Sequence, residues 1–228
     1  MCLALVKPAG VSVDEDAMQT AYEANKDGCG FAVRTPRGII VAKGLWTFPD
    51  FWRQLCPYMG YDALIHFRWA SKGTINRANC HPFVFPEGAL IHNGHLDGYG
   101  TREHSDTAEW VTTLLIPLLA TYPDALRQPA LVRLLEDSLG DSKMALFTGK
   151  ETVILNEHAG HWKDGVWYSN ASYRPVPRRL LIPDAASLGD PWNRLGWDQP
   201  CPLEEQRCSL CGLQDAAYAV CDECLTSH

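Results

Sequence analysis

The sequence lacks the long hydrophobic runs that membrane-spanning helices require. No apolar stretch reaches about 18 residues, the length that begins to span a bilayer. The first residues also lack the basic and then apolar pattern of a secretory signal peptide. We therefore expect a soluble, cytoplasmic protein that does not work at a membrane.

Positive charge is scarce as well. The chain has 20 Lys and Arg residues against 27 Asp and Glu residues, and its formal net charge is −7. A broad surface for nucleic acid or for an anionic membrane needs the opposite balance, so we expect neither partner. What the chain does have is 46% hydrophobic residues and 8 tryptophans in 228 residues, without internal repeats. This composition predicts a folded main domain with a substantial core and room for a small appendage.

The 9 cysteines are unevenly distributed. Cys2, Cys29, Cys56 and Cys80 are scattered, whereas the other five lie within residues 201–224. Without an export signal, the scattered cysteines are interpreted as free thiols rather than disulfides. Of these, Cys29, Cys56 and Cys80 are expected to be small core residues.

The cluster near the end of the sequence has the spacing of a zinc site. It contains two CxxC pairs, Cys208 with Cys211 and Cys221 with Cys224. Four thiolates can surround one Zn²⁺ tetrahedrally, and a closed shell of this kind is structural rather than catalytic. A tail of this size has too little core to fold without the metal. Cys201 and His228 are poorer candidate ligands, and unpaired cysteines in a disordered tail are the alternative.

Hydrophobic patterning predicts about eight strands and four helices before residue 175. The strands are expected at residues 3–6, 29–34, 38–43, 63–69, 88–92, 143–148, 151–156 and 166–169. The helices are expected at residues 14–25, 48–55, 105–120 and 130–138, with Pro117 ending or kinking the third. Because helices and strands do not alternate regularly, the pattern predicts an α+β fold rather than a doubly wound parallel sheet.

These elements divide the chain into three parts. Residues 2–175 form the main domain, residues 176–200 are a proline-rich linker or wrapping segment, and residues 201–228 are the zinc-binding tail.

The beginning of the chain carries a candidate nucleophile. If Met1 is removed, Cys2 becomes the first residue and carries both a thiol and a free α-amine. The amine can accept the proton of the thiol, so that one residue supplies nucleophile and base. On its own, a small residue after the initiator methionine is more often without chemical meaning.

Further motifs follow in the middle of the chain. They are H-x-R-W-A at residues 66–70, N-x-H-P at 79–82, H-N-G at 92–94 and S-D-T at 105–107. Taken singly, each has an ordinary interpretation, such as an Asn-Gly turn or a helix cap. Together with Cys2, and in this order, they resemble the class II glutamine amidotransferase domain, a family of N-terminal-nucleophile (Ntn) hydrolases. The D-G-C-G-F-A segment at residues 27–32 is also similar to a strand of that family.

The resemblance implies a four-layer αββα sandwich and assigns roles to individual residues. Cys2 would attack the side-chain amide of L-glutamine and form a glutamyl thioester. The Asn93 amide and the Gly94 backbone N–H would stabilise the oxyanion. Substrate binding would involve Trp69 and His81 together with two charged residues: Arg68 for the α-carboxylate and Asp106 for the α-ammonium group.

This sequence departs from the family pattern at several positions. Leu3 stands where many members have glycine, and Ser71-Lys72 replaces a threonine-histidine pair in the loop over the substrate. The histidines of the central motifs match no common metal-ligand spacing, and the family uses no catalytic metal. We therefore expect Zn²⁺ in the tail alone and no catalytic cofactor.

The functional hypothesis is a glutaminase subunit that supplies ammonia to a separate synthase, because the chain has no room for a synthase domain. One alternative is an Ntn amidohydrolase that acts on a γ-glutamyl compound or another small-metabolite amide. A second alternative is a catalytically inactive zinc-knuckle interaction protein.

Overall fold

The computed structural model describes residues 2–86 and 88–175. The proposed linker (176–200) and the proposed zinc tail (201–228), with Cys208, Cys211, Cys221 and Cys224, lie outside the described residues, as does Met1.

Ten strands and five α-helical segments make up the described part of the chain. The strands are β1 (Leu3–Lys7), β2 (Cys29–Thr35), β3 (Gly38–Leu45), β4 (Asp62–Phe67), β5 (Phe83–Phe85), β6 (Gly88–Asn93), β7 (Lys143–Thr148), β8 (Thr152–Leu155), β9 (His161–Lys163) and β10 (Val166–Tyr168). The helices are α1 (Glu15–Ala24), α2 (Phe48–Leu55), α3 (Asp106–Trp110), α4 (Ile116–Thr121) and α5 (Pro129–Leu139). Short 3₁₀ turns lie at Cys56–Tyr58, Ala125–Arg127 and Glu157–Ala159.

The strands form two antiparallel sheets. The larger sheet has the order β3-β2-β4-β1-β10-β9, and the smaller has the order β5-β6-β7-β8. Strand β1 lies in the middle of the larger sheet, where it pairs with β4 (Leu3 opposite Phe67) and with β10 (Leu5 opposite Tyr168). The first strand of the chain is therefore hydrogen-bonded on both sides.

Alternation along β1 explains how the larger sheet is covered. Leu3 and Leu5 pack in one apolar cluster with residues of α1 and α2, whereas Ala4 and Val6 pack in another cluster with Ile91 and other residues of the smaller sheet. Successive side chains of a strand point to opposite faces, so β1 is apolar on both. A third cluster joins the smaller sheet to the helices between residues 106 and 139.

A π-helical turn at Val111–Leu115 joins α3 to α4. Pro117 lies in the first turn of α4, where its missing N–H and its ring disturb the backbone ladder of the preceding turn. The wider π turn accommodates this disturbance, and α4 continues to Thr121 instead of ending at the proline.

The mixed composition and the antiparallel sheets agree with the predicted α+β class. Strands β5 and β9 were not predicted. Each has three residues, which is too short for an alternating pattern to stand out, and each is held by pairing to a longer or adjacent strand.

No helix among the described residues is both long enough and apolar enough to span a bilayer.

Candidate active site

The candidate nucleophile, Cys2, lies at the tip of β1. Pairing of β1 with β4 brings it to the end of β4, where its Sγ is 3.3 Å from both the backbone N and the backbone O of Trp69. The Trp69 N–H donates to the sulfur, and the thiol donates to the Trp69 carbonyl. The Cys2 carbonyl in turn accepts a 2.7 Å hydrogen bond from Asn170 Nδ2. Cys2 is thus held through its main chain and its sulfur.

The environment of Cys2 favours the neutral thiol. Burial raises the pKa of the thiol, and Asp106 adds to the rise, while the Trp69 N–H, the amino terminus and Arg68 act in the opposite direction. Burial is the largest of these effects. A thiol with a raised pKa needs a nearby base before it can attack a carbonyl group.

Within residues 2–86 and 88–175, both hydrogen-bond partners of Cys2 Sγ are main-chain atoms of Trp69. No imidazole or carboxylate in this part of the chain therefore forms a nucleophile–base pair with the thiol. The α-amine that Cys2 would carry as the first residue is a base that needs no partner side chain.

The candidate oxyanion turn follows β6 in the smaller sheet. Asn93 is the last residue of β6, and Gly94 adopts a φ of +148°. Ser142 fixes His95, the residue after Gly94. The Ser142 Oγ accepts from His95 N and donates to His95 O, both at 2.9 Å. The turn is therefore a fixed feature, which is what a preorganised donor group requires.

Arg68 directly follows β4 and is buried, with 3% of its surface exposed. Its guanidinium group donates to the carbonyls of Lys72 (2.9 Å) and Thr74 (3.2 Å). Nη2 also donates to the Gly73 carbonyl at 3.4 Å. The three bonds shape the loop at residues 71–79 and leave two of the five guanidinium hydrogens, on Nε and Nη1, without a partner among the described residues.

Asn79 fixes the same loop from the other side. Its Nδ2 donates to the carbonyls of Thr74 (3.0 Å) and Glu103 (2.7 Å), and its Oδ1 accepts from Ser105 N (2.9 Å). The loop at residues 71–79 and the loop at residues 97–105 are thereby connected directly in front of Asp106.

Asp106 begins α3 and is almost fully buried. Its Oδ1 accepts from Thr107 N (2.7 Å) and its Oδ2 from Leu96 N (2.9 Å). Two main-chain donors thus orient the carboxylate. A carboxylate has about four acceptor sites, so capacity remains for an ammonium group.

Two predicted substrate-binding residues occupy unexpected positions. Trp69 is 54% exposed, and it is the main chain of this residue that contacts Cys2. His81 is buried, with its ring 4.0 Å from that of His66 and 4.7 Å from that of Phe83.

His66, His81 and His92 form a buried group of imidazoles. Burial lowers the pKa of His66 to about 3 and that of His92 to about 4, and it holds the pKa of His81 well below the usual value. His66 Nε2 lies 2.9 Å from the His92 carbonyl, and His92 Nδ1 lies 2.8 Å from Thr107 Oγ1. Both ring nitrogens of His81 lack a hydrogen-bond partner among the described residues. These histidines are neutral at physiological pH.

No group of three or more His, Cys, Asp or Glu side chains in residues 2–86 and 88–175 is arranged to hold a metal ion. A cavity of about 660 Å³ adjoins the candidate oxyanion turn, and Asn93 and Gly94 are both among its lining residues. Its opposite wall comes from the end of α5 and the turn before β7, including Asp137, Ser142 and Lys143.

Sequence reasoning missed Ser169 and Asn170, which lie just beyond β10. Ser169 Oγ accepts from Ala4 N and from Asn93 Nδ2, both at 2.9 Å, and Asn170 holds the Cys2 carbonyl. The available signal was a pair of polar residues directly after a short, fully apolar strand.

No protein-family model matches the chain, and no curated protein matches it. Among solved structures, the chain is similar to glutamine phosphoribosylpyrophosphate (PRPP) amidotransferase from B. subtilis complexed with ADP and GMP. That likeness has a TM-score of 0.49 and 17% sequence identity, and it covers 76% of this chain and 42% of the other. The chain is also similar to the allosteric regulatory enzyme of purine biosynthesis, with a TM-score of 0.47 and 17% identity over 74% of this chain and 41% of the other. The matched region thus spans about two fifths of the length of either structure.

Proposed function

We propose that this chain is a glutaminase of the class II glutamine amidotransferase type, with Cys2 as its N-terminal nucleophile. The observation that supports it is the convergence of Cys2, Arg68, the Asn93-Gly94 turn and Asp106. They come from separate segments. The charges of Arg68 and Asp106 are close enough to act on the Cys2 thiol, and Asn93 Nδ2 binds Ser169 Oγ, which also binds Ala4 N, two residues from Cys2. The resemblance of the motifs assigns these same residues to one site.

The reaction begins after removal of Met1. The Cys2 thiol passes its proton to its own α-amine, and the sulfur forms a bond to the side-chain amide carbon of L-glutamine. The carbonyl oxygen becomes an oxyanion. The tetrahedral intermediate then collapses, the protonated α-amine returns the proton to the leaving nitrogen, and ammonia departs. Water next attacks the γ-glutamyl thioester and releases glutamate and the free thiol.

Asn93 and Gly94 stabilise the oxyanion. A preplaced donor of this type contributes roughly 3–4 kcal/mol to transition-state stabilisation. Gly94 N–H is a main-chain donor, and Asn93 Nδ2 retains a second hydrogen beyond the one that it donates to Ser169.

Arg68 and Asp106 select a free amino acid head group. The guanidinium group of Arg68 pairs with the α-carboxylate, and Asp106 pairs with the α-ammonium group. Because both side chains are buried, a substrate that lacks either charge would leave an unpaired charge in the protein, which is costly. Trp69 and His81 belong to the same proposed substrate site, Trp69 through its main chain beside the sulfur.

The two sheets and their helices then correspond to the αββα sandwich of the Ntn hydrolases, formed by residues 2–175. We further propose that the ammonia passes to a separate synthase in the cytoplasm. Residues 176–200 would form a linker after the main domain. The tail at residues 201–228 would hold one structural Zn²⁺ through Cys208, Cys211, Cys221 and Cys224, and no catalytic cofactor is needed.

A second candidate function is hydrolysis of a larger γ-glutamyl amide. The observation that favours it is the cavity of about 660 Å³ lined by both proposed oxyanion donors. Cys2, Arg68 and Asp106 do not line this cavity, so it would receive only a group on the amide nitrogen that extends past the Asn93-Gly94 turn.

The test is glutamate release from L-glutamine by the full-length chain, produced once with Cys2 as its first residue and once with Met1 retained. Mass spectrometry defines each N-terminus. Turnover by the first form alone, and its loss in Cys2→Ala, is the expected result. No turnover by correctly processed protein on glutamine or on γ-glutamyl amides would reject the enzyme proposal and favour an inactive interaction protein.

A further inference from the structure

Ser169 is attached to the nucleophile strand. Its backbone N donates to Ala4 O at 2.9 Å, and its Oγ accepts from Ala4 N at the same distance. The residue is 2% exposed. The hydroxyl group is therefore fixed beside Ala4, which lies two residues after Cys2 in the chain, and it has little freedom to rotate away.

The same oxygen reaches the other sheet. Asn93 Nδ2 donates to Ser169 Oγ at 2.9 Å, in a contact between residues that are both 2% exposed. The terminal torsion of an asparagine side chain is broad, so its own rotamer preference does not fix the direction of the amide. A buried hydrogen bond to an immobile partner does fix it.

We propose that Ser169 is a positioning residue for the oxyanion donor Asn93, an inference that rests on the proposed function. One hydrogen of Nδ2 is held by Ser169, and the other is thereby directed to the position that the oxyanion occupies. Because the same hydroxyl group binds Ala4, the position of the Asn93 amide is fixed relative to β1, the strand that carries the nucleophile. Donor and nucleophile thus keep one relative position, although they belong to different sheets.

A purely structural role predicts something different. Replacing Ser169 by alanine also leaves the buried Ala4 N–H without its partner, which lowers stability whatever Asn93 does. A loss of stability in Ser169→Ala therefore does not test the positioning role. The test is whether the loss of kcat in Ser169→Ala requires Asn93.

The experiment is a double-mutant cycle of Ser169→Ala and Asn93→Ala in the full-length chain with Cys2 as first residue. For Ser169→Ala we expect kcat to fall about 10- to 100-fold, with KM for L-glutamine within about twofold, because the oxyanion exists only in the transition state. In the Asn93→Ala background, the same change should lower kcat less than about twofold, since the donor is already absent. Ser169→Thr keeps the hydroxyl group and should recover most of the lost kcat.

Ser172→Ala is the matched control. It removes a hydroxyl group from the same segment, but one that accepts from Asn25 Nδ2 at 3.3 Å. Its kcat should stay within about twofold of the parent chain. Additive losses in the cycle, or an unchanged kcat in Ser169→Ala, would overturn the positioning role.

A second readout separates this inference from the proposed function. The side-chain amide signals of Asn93 in a ¹⁵N spectrum are assigned by their disappearance in Asn93→Asp. Ser169→Ala should shift them and accelerate their exchange with solvent, and Ser172→Ala should not. Unchanged signals in Ser169→Ala refute the positioning of the amide even if the enzyme proves inactive. Shifted signals support it, and activity then decides the proposed function separately.

Discussion

Ser142 packs so closely against Gly94 that it leaves no room for a side chain at that position. A Cβ built on Gly94 would be 2.7 Å from Ser142 Cα and would overlap with the Ser142 hydroxyl group, and the φ of +148° is itself unfavourable for any other residue. The proposed oxyanion turn therefore combines two separate requirements for glycine: backbone conformation and close approach.

Gly94→Ala should consequently lose both stability and turnover. We expect the free energy of unfolding to fall by several kcal/mol. An unfavourable φ costs roughly 1–2 kcal/mol, and the steric overlap of the new Cβ with Ser142 adds to that cost. Gly98→Ala is the control, because Gly98 has a φ of +79° with nothing within 4 Å of its Cβ position. Denaturant unfolding of Gly98→Ala should show only the cost of the unfavourable φ. Equal costs in the two variants would mean that Ser142 does not constrain the turn.

Arg68→Lys should raise KM for L-glutamine about 10- to 100-fold. Lysine keeps the positive charge but loses the forked geometry that binds a carboxylate through two hydrogen bonds. Steady-state kinetics measure the change.

Arg53→Lys is the matched control, since Arg53 has 76% of its side chain exposed and pairs with Asp50 on the surface. Its kinetics should equal those of the parent chain. An unchanged KM in Arg68→Lys would exclude Arg68 from carboxylate binding.

Stability should decrease as the pH falls below about 6.5, because the buried histidines cannot take up protons in the folded chain. The pKa of His66 is lowered to about 3 and that of His92 to about 4. The unfolded chain therefore binds more protons than the folded chain between those values and about 6.5. Each such imidazole contributes about 1.4 kcal/mol per pH unit in that window, and none above it. Urea unfolding between pH 4 and pH 8 measures the slope.

His81→Leu removes one of these groups and should reduce that slope. His81 suits this test because both of its ring nitrogens lack partners among the described residues. His158→Gln, at an exposed position, should leave the slope unchanged. A slope that is the same in His81→Leu as in the parent chain would show that His81 is protonated in the folded protein.

The full-length chain should contain one zinc ion, bound by its tail. Cys211→Ser or Cys221→Ser breaks the set of four thiolates and should lower the zinc content to a small fraction, because an incomplete set binds far more weakly. Cys56 is exposed, so its prediction as a core residue was wrong, whereas Cys29 and Cys80 are buried. Cys56→Ser should keep the full zinc content. Elemental analysis of dialysed protein gives the stoichiometry. Zinc-free protein from zinc-replete medium would contradict the assignment.

The sequence predicted the longer elements well but missed two of the three-residue strands, β5 and β9; the third, β10, was predicted. Strands β2, β4 and β6 carry continuous apolar runs and were predicted within a few residues of their observed bounds. β5 and β9 have three residues each, and pairing rather than local pattern holds them in place.

The candidate site shows the same division. The motifs with Arg68, Asn93 and Asp106 could be located in the sequence because their order along the chain, together with Cys2, resembles that of the class II glutamine amidotransferase domain. Ser169 could not, because its partners lie 165 residues away at Ala4 and 76 residues away at Asn93. The role of Trp69 was equally hidden, since its main chain rather than its indole ring contacts Cys2.

The central place of β1 has a consequence for the timing of maturation. Because Leu5 pairs with Tyr168, the first strand cannot be enclosed on both sides until β10 has left the ribosome. Pairing across so long a stretch of chain is intrinsically slow. During that interval the N-terminus is still exposed, and the aminopeptidase that would remove Met1 has access to it. Once β1 lies between β4 and β10, Cys2 Sγ is hydrogen-bonded to the main chain of Trp69, and we expect removal of Met1 to be slower from that point on.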